Sequence, residues 1–213
     1  MKTLLGLLLT LACAAPAQAQ VKAGSHVLSL QAGTALPLTR YGDPDVFVGN
    51  QGASFGGRYL YQWRPAWSLG VDILYDAFKE KPLDSGIYRL TTNPKLFQAL
   101  VIGKRTFLPD WKWRPYAWGG LGLGVFSLRK TEIPQPGMAR LDGSTDTRTL
   151  VDGSSRGLAF ALATGFDWDL TKRLTAGFEL RWNQTAIDKS RFFGDKFHSF
   201  NIGALLGYRL GGR

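Results

Sequence analysis

Apolar and polar residues alternate along most of this chain, in segments longer than the strands of soluble sheets. From Leu174 to Asn183 every second residue is apolar, and the residues between them are glycine, polar or charged. A period of two places the two sets on opposite faces of a strand. Strands of soluble sheets run about 5 to 6 residues, whereas a tilted strand that crosses a bilayer needs about 9 to 11. The longer segments here therefore favour membrane strands.

The alternation predicts eight strands, covering residues 26–36, 54–63, 67–78, 95–107, 115–128, 156–169, 174–183 and 197–210. The connections between them alternate strictly in length. Three are short, whereas residues 37–53, 79–94, 129–155 and 184–196 form longer connections rich in Gly, Pro, Asp and Ser. Short turns on one side and long loops on the other are typical of an up-and-down membrane barrel. The predicted fold is all-β: an eight-stranded antiparallel up-and-down transmembrane β-barrel.

The size of the apolar side chains indicates which face points outward. A soluble eight-stranded barrel would have to enclose Phe160, Phe178 and Trp182 together with many other large residues, and such a barrel has an interior that side chains only just fill. The opposite arrangement places small residues inside, on two neighbouring strands. These are Gly120, Gly122, Gly124, Ala159, Ala161, Ala163 and Gly165. We therefore expect the apolar face to contact lipid.

Four charged residues fall on the predicted inner face: Arg58, Asp72, Glu179 and Arg181. If the second and third strands pair so that Trp63 lies opposite Trp67, Arg58 lies beside Asp72. A buried charge is costly unless it is paired and hydrogen-bonded. We interpret the four residues as a barrel-interior charge network that plugs the lumen. The alternative is a gated passage for water or ions.

Six of the seven tryptophans lie at or near the predicted short turns: Trp63, Trp67, Trp111, Trp113, Trp118 and Trp168. Tryptophan prefers the membrane interface, so these residues are predicted to form an interfacial aromatic girdle. The opposite girdle would comprise Tyr75, Phe78, Phe192, Phe193 and Phe197.

The first 19 residues have the features of a secretory signal peptide, with Lys2, an apolar stretch and the small-x-small site Ala17-Gln18-Ala19. We expect residues 1–19 to be removed and residues 20–213 to form the barrel. The only cysteine, Cys13, leaves with the signal, which excludes disulfides, thiolate metal sites and cysteine nucleophiles in the mature chain. Lipidation of Cys13 is the alternative. Residues 20–213 contain no run of 18 apolar residues, which excludes a helical membrane protein.

At this point the chain resembles the small eight-stranded outer-membrane barrels of Gram-negative bacteria, the OmpA-like and OmpW-like group. The most specific stretches run from Trp113 to Gly124, with Arg-Pro-Tyr and alternating glycines, and from Phe200 to Leu210. The second is similar to the C-terminal strand recognised by the barrel-assembly machinery, although that strand commonly ends on phenylalanine and here Leu210 is followed by Gly211-Gly212-Arg213. The resemblance implies an outer-membrane location and the barrel-assembly machinery as a partner during biogenesis. We expect the barrel to be a monomer.

The formal net charge of +10 is scattered, with no basic run longer than two residues, so we expect no nucleic-acid partner. Several basic residues gather at the short-turn end, where they would meet anionic headgroups. These are Arg64, Lys104, Arg105, Lys112, Arg114, Lys172, Arg173 and Arg209. In the long loops, Arg129, Lys130, Arg140 and Arg148 are candidates to contact lipopolysaccharide phosphates. Outer-membrane lipids and lipopolysaccharide are therefore the expected partners.

No catalytic, cofactor or metal site is predicted. Some barrels of this size act on lipid A through a His and a Ser, but His198 and Ser199 are adjacent and must point to opposite faces of a strand. The leading hypothesis is a non-enzymatic barrel with an envelope-structural role or a role in interactions through its surface loops. The alternatives are a narrow channel for small or hydrophobic solutes and, less favoured, a lipid A-modifying enzyme.

Overall fold

The described part of the chain consists of strands joined by turns. A computed structural model describes residues 23–39, 49–84, 88–134, 146–188 and 194–211. The strands are β1 (Ser25–Pro37), β2 (Asn50–Arg64), β3 (Trp67–Lys79), β4 (Lys81–Asp84), β5 (Tyr88–Thr106), β6 (Trp113–Pro134), β7 (Arg148–Asp169), β8 (Leu174–Ala186) and β9 (Lys196–Leu210). The short strand β4 follows β3 after Glu80 and pairs with β5 as β3 does, so β3 and β4 together form one of eight barrel strands.

The sheet closes on itself through antiparallel pairs only. Neighbouring strands pair in chain order, β3 pairs with β5, and β1 pairs with β9 to complete the circle. The predicted eight-stranded antiparallel barrel is confirmed. None of the described residues forms a helix long and apolar enough to cross a membrane. The turns at 65–66, 107–112 and 170–173 mark what we call the short-turn end, and the opposite end is the loop end.

The apolar face points outward, as predicted. Leu30, Leu121 and Leu158 are 72%, 66% and 76% exposed, whereas Ala159 and Ala161 on the inner face are 1% and 0% exposed. Only a hydrocarbon solvent makes such an exterior stable, because water would penalise each exposed leucine.

Strand β5 departs from this rule, since its inner face carries Leu100 and Ile102 beside Gln98 and Lys104. The inner face of β6 accommodates them. Leu100 lies opposite Gly122 and Ile102 opposite Gly120, and a Cβ atom on Gly120 would lie 2.6 Å from Cγ2 of Ile102. The alternating glycines thus make room for large side chains of the adjacent strand.

The strands at the loop end are longer than predicted. Both β6 and β7 have 22 residues, and much of the predicted long connections at 79–94 and 129–155 is paired strand. Alternation of polarity ends where both faces are in water, but backbone pairing continues, so the sequence pattern underestimates these strands.

Candidate functional site in the barrel interior

The four predicted interior charges lie in contact at the centre of the barrel. Arg58 on β2 donates from Nε to Asp72 Oδ1 on β3 at 2.8 Å, and its Nη1 and Nη2 donate to the two carboxylate oxygens of Glu179 on β8 at 2.7 and 2.8 Å. Arg181 pairs with the other oxygen of Asp72. All four residues are at most 4% exposed. Two cations and two anions therefore neutralise one another away from water, which is the condition for burying them.

Glu179 also accepts hydrogen bonds from two aromatic side chains of β6. The hydroxyl of Tyr116 lies 2.9 Å from Oε2 and the indole nitrogen of Trp118 lies 2.7 Å from the same oxygen. The Trp118 ring contacts both cations, with the guanidinium carbons of Arg58 and Arg181 at 4.8 and 5.0 Å from its centroid. The carboxylate thus receives four donors, and the ring supplies a π face to each guanidinium.

The placement of Trp118 in the girdle is therefore wrong, since this residue is interior and 3% exposed. Its nearness to a short turn was the basis for the prediction. The signal that was missed is its parity, the odd or even position of a residue along a strand. Trp118 shares a strand face with Gly120, Gly122 and Gly124, which the sequence predicts to point inward. In a strand, parity decides the face and distance from the turn does not.

The other predicted girdle residues lie at the short-turn end. Trp63, Trp67, Trp111 and Trp113 are 41–64% exposed, and Trp168 stacks on Trp113 with ring centroids 5.1 Å apart. Their contact with lipid headgroups remains a prediction.

The opposite girdle needs a correction. Tyr75 is exposed, but Phe78 and Phe197 are buried in the lumen. Both have inward parity on their strands. Phe192 and Phe193 lie outside the described residues.

Above the charge network the lumen is closed by two further layers toward the loop end. The first is polar: Asn201 donates to Asp76 Oδ1 at 2.7 Å and Gln98 donates to Thr185 at 2.9 Å. The second is apolar, and we call it the cap. It consists of Ala35, Phe78, Leu96, Phe126, Leu128 and Phe197, with Phe126 stacked on Phe197 at 4.5 Å.

Below the network, toward the short-turn end, lie three ion pairs that the sequence did not reveal. Lys104 Nζ lies 2.6 Å from Asp167 Oδ2, and Asp169 accepts from both Arg114 and Arg209. The prediction that Lys104, Arg114 and Arg209 face headgroups is therefore wrong, since each is at most 8% exposed and points inward. Strand parity was again the signal that was missed.

The described interior is nearly filled. Two cavities within it have volumes of about 30 and 20 Å³, enough for about one water molecule each. No group of three or more His, Cys, Asp or Glu side chains suited to a metal ion occurs among the residues for which the structure gives positions.

His198 and Ser199 do point to opposite faces. Ser199 is fully buried and accepts a hydrogen bond from Asn183. His198 lies on the outer wall and stacks against the ring of Trp182, with ring centroids 5.6 Å apart. They cannot act as one catalytic pair, because such a pair must lie within hydrogen-bond reach.

An outward-facing aliphatic band, a closed antiparallel wall and an ion-paired lumen occur together in barrels of outer membranes. The sequence profile described as "Outer membrane protein beta-barrel domain" matches residues 5–209. The chain belongs to this family. Membership implies a location in the outer membrane, while export through the signal peptide remains a prediction because residues 1–22 lie outside the described part.

Two solved structures have the same fold. Neisserial surface protein A has 16% sequence identity and a TM-score of 0.55, and the match covers 87% of this chain and 97% of that one. Ail, the attachment invasion locus protein of Yersinia pestis, in complex with the heparin analogue sucrose octasulfate, has 13% identity and a TM-score of 0.51, with 88% and 99% covered. None of the curated proteins compared with the chain matches it. At these sequence identities the two structures show a common fold only.

Proposed function

We propose that this family member is a non-enzymatic, non-conducting barrel with an envelope-structural role, exerted through lipopolysaccharide in the outer leaflet. The observation that carries this proposal is a set of five cations on the outer wall, which we call the basic collar. It consists of Lys79, Lys95, Arg129, Arg156 and Lys196.

The collar lies where the apolar band ends at the loop end. On each of β3, β5, β6, β7 and β9, the outward face is uncharged through the band, and the next charged side chain toward the loop end belongs to the collar. All five collar residues are exposed. In β1, β2 and β8 the outward face carries no Lys, Arg, Asp or Glu between the short turns and the loop end. Cations at this height face the phosphates of lipopolysaccharide, which Arg and Lys bind through charge-assisted hydrogen bonds.

A role in surface interactions is supported by the length of the strands at the loop end. About 9 to 11 residues suffice to cross the bilayer, and β6 and β7 each have twice as many. Beyond the collar, β6 and β7 remain paired, for example at Thr131 and Thr149. Strand β4 and the start of β5 extend the same sheet. We propose that this rigid sheet presents the remaining loops to a partner outside the cell.

A channel is disfavoured because the lumen is blocked in successive layers. We expect the purified protein to give no steady single-channel conductance in planar bilayers, and the Phe126→Ala/Phe197→Ala variant to stay silent as well. Removing these rings opens the cap, but the charge network beneath it still fills the cross-section. Steady openings of the wild-type protein that change with Arg58→Ala would establish the channel alternative instead.

Lipopolysaccharide should stabilise the protein through the collar. We expect the thermal midpoint of the folded-to-unfolded gel shift to rise when lipopolysaccharide is added to phospholipid vesicles containing the protein. Replacement of all five collar residues by glutamine should abolish most of this rise, because each phosphate contact is worth about 1.5 to 3 kcal/mol when charged.

The control replaces three cations at the opposite end, in Arg64→Gln/Arg105→Gln/Lys172→Gln, and is compared with a collar variant of equal charge change, Lys79→Gln/Lys95→Gln/Lys196→Gln. The control side chains lie on the far side of the apolar band, so the effect of lipopolysaccharide should be unchanged. An equal loss in both triple variants would show that net charge, rather than the collar, is responsible, and the proposal would then be abandoned.

A further inference from the structure

The outer wall carries an apolar groove of about 550 Å³ that the proposed function does not use. It extends over the outward faces of β1, β2 and β3 and the adjoining ends of β8 and β9. Leu28, Leu30, Ile73 and Leu206 contribute aliphatic side chains to its walls. Gly57 leaves room for it, since a Cβ atom there would meet nothing closer than the backbone oxygen of Ser29 at 3.7 Å.

Two tyrosines line the end of the groove nearest the short turns, and each is hydrogen-bonded to a side chain able to bind an anion. The hydroxyl of Tyr59 lies 2.7 Å from Nδ1 of His26. Arg173 Nη1 donates to the hydroxyl of Tyr208 at 3.4 Å. These four residues lie toward the short-turn end of the barrel.

The backbone of Arg173 is held by two hydrogen bonds. Its carbonyl oxygen accepts from the backbone N–H of Arg209 at 2.7 Å, and its own N–H donates to the hydroxyl of Thr171 at 3.2 Å. In the pairing of the strands, Leu174 lies opposite Tyr208, and Tyr208 lies opposite Leu28, two residues from His26. Arg173 and His26 are therefore about two strand spacings apart, roughly 10 Å, at the same end of one groove.

We propose that this groove is a binding site for one glycerophospholipid of the inner leaflet. An acyl chain lies over Gly57, and the headgroup phosphate is bound by Arg173, with the Tyr208 hydroxyl and one member of the hydrogen-bonded pair His26 and Tyr59 as further donors. The charge complementarity is specific: an aliphatic groove that ends at an arginine fits a chain that ends at a phosphate. The collar is at the other end of the barrel, so this site is independent of the proposed function.

The groove is tested by filling it. The protein is purified in detergent micelles containing phosphatidylglycerol, and retained lipid is counted by native mass spectrometry. We expect one retained phosphatidylglycerol per wild-type chain and loss of this adduct in Gly57→Leu, whose side chain occupies the groove. The matched control is Gly103→Leu. Gly103 is also an outward glycine with open space around it, the nearest atom to its Cβ position being Cδ2 of Leu69 at 3.8 Å. This variant should retain the lipid.

The headgroup contact is tested by Arg173→Gln and His26→Gln, with Arg105→Gln as a control cation elsewhere at the short-turn end. We expect Arg173→Gln to lower the retained fraction about tenfold, the effect of one lost charged hydrogen bond, and Arg105→Gln to have no effect. Diacylglycerol, which lacks the phosphate, should be retained poorly by every variant.

Each variant is first checked for the mobility shift on boiling, which reports a folded barrel. Equal retention in Gly57→Leu and Gly103→Leu, or retention of diacylglycerol equal to that of phosphatidylglycerol, would overturn the site. Loss of the lipopolysaccharide effect in the collar variant with normal phospholipid retention would support the two proposals separately.

Discussion

Glu179→Ala is expected to lower the free energy of unfolding by about 3 to 5 kcal/mol, the usual effect of removing one partner from a buried ion pair. Glu179 accepts from Arg58, Tyr116 and Trp118, and their donor atoms would lose their acceptor in a lumen without bulk water. Asp72 would then be left to neutralise two guanidinium groups. Urea unfolding in lipid vesicles, followed by tryptophan fluorescence, measures the loss.

Asp152→Ala is the matched control, since Asp152 also pairs with an arginine but in an exposed position. Its carboxylate lies 3.8 Å from Arg129, with side chains 66% and 64% exposed. An exposed pair contributes at most about 1 kcal/mol.

The double variant Arg58→Met/Glu179→Met separates charge from packing. It removes the Glu179 carboxylate and the Arg58 guanidinium together and leaves Asp72 paired with Arg181, so it should recover much of the stability lost in Glu179→Ala. If Glu179→Ala costs no more than Asp152→Ala, the network does not stabilise the barrel.

Trp118→Ala is expected to cost about 3 to 5 kcal/mol as well, the range for removing a large aromatic ring from a packed interior. The substitution leaves a cavity among Leu60, Leu100 and the alanines of β7. It also removes one of the four hydrogen bonds to Glu179 and the π face next to Arg58 and Arg181.

Trp111→Ala provides the comparison, since Trp111 is 64% exposed in the turn before β6. This substitution should lower the free energy of unfolding far less in the same urea titration. Trp118→Phe keeps most of the volume and loses the hydrogen bond, so its cost should fall between those of the two alanine variants. Similar losses for Trp118→Ala and Trp111→Ala would contradict the interior assignment of Trp118.

Much of the fold follows from the sequence because a strand has a strict period of two. Alternation at Leu174 to Asn183 identifies a membrane strand and its outer face without any knowledge of its neighbours. The predicted contact between Arg58 and Asp72 is present, although Arg64 rather than Trp63 lies opposite Trp67. A register shift between Gln62 and Arg64 brings Arg58 opposite Asp72, and the alternation of residues does not reveal this shift.

The layers of the lumen could not be predicted in this way. Glu179 reaches Arg58 across 121 positions of sequence, and the barrel must close before these side chains meet. The assembly of the cap from β1, β3, β5, β6 and β9 depends in the same way on closure and stagger. Parity alone assigns Phe78 and Phe197 to the lumen but does not bring them into contact.

The sequence by itself determined the strand type, the number of membrane strands and the outward direction of the apolar face, because these depend on local periodicity and on side-chain volume. Only the tertiary structure decided how the interior charges are shared, how far β6 and β7 extend and where the outer wall is grooved. Those features arise from contacts between strands distant in sequence, whose register is set by closure of the barrel.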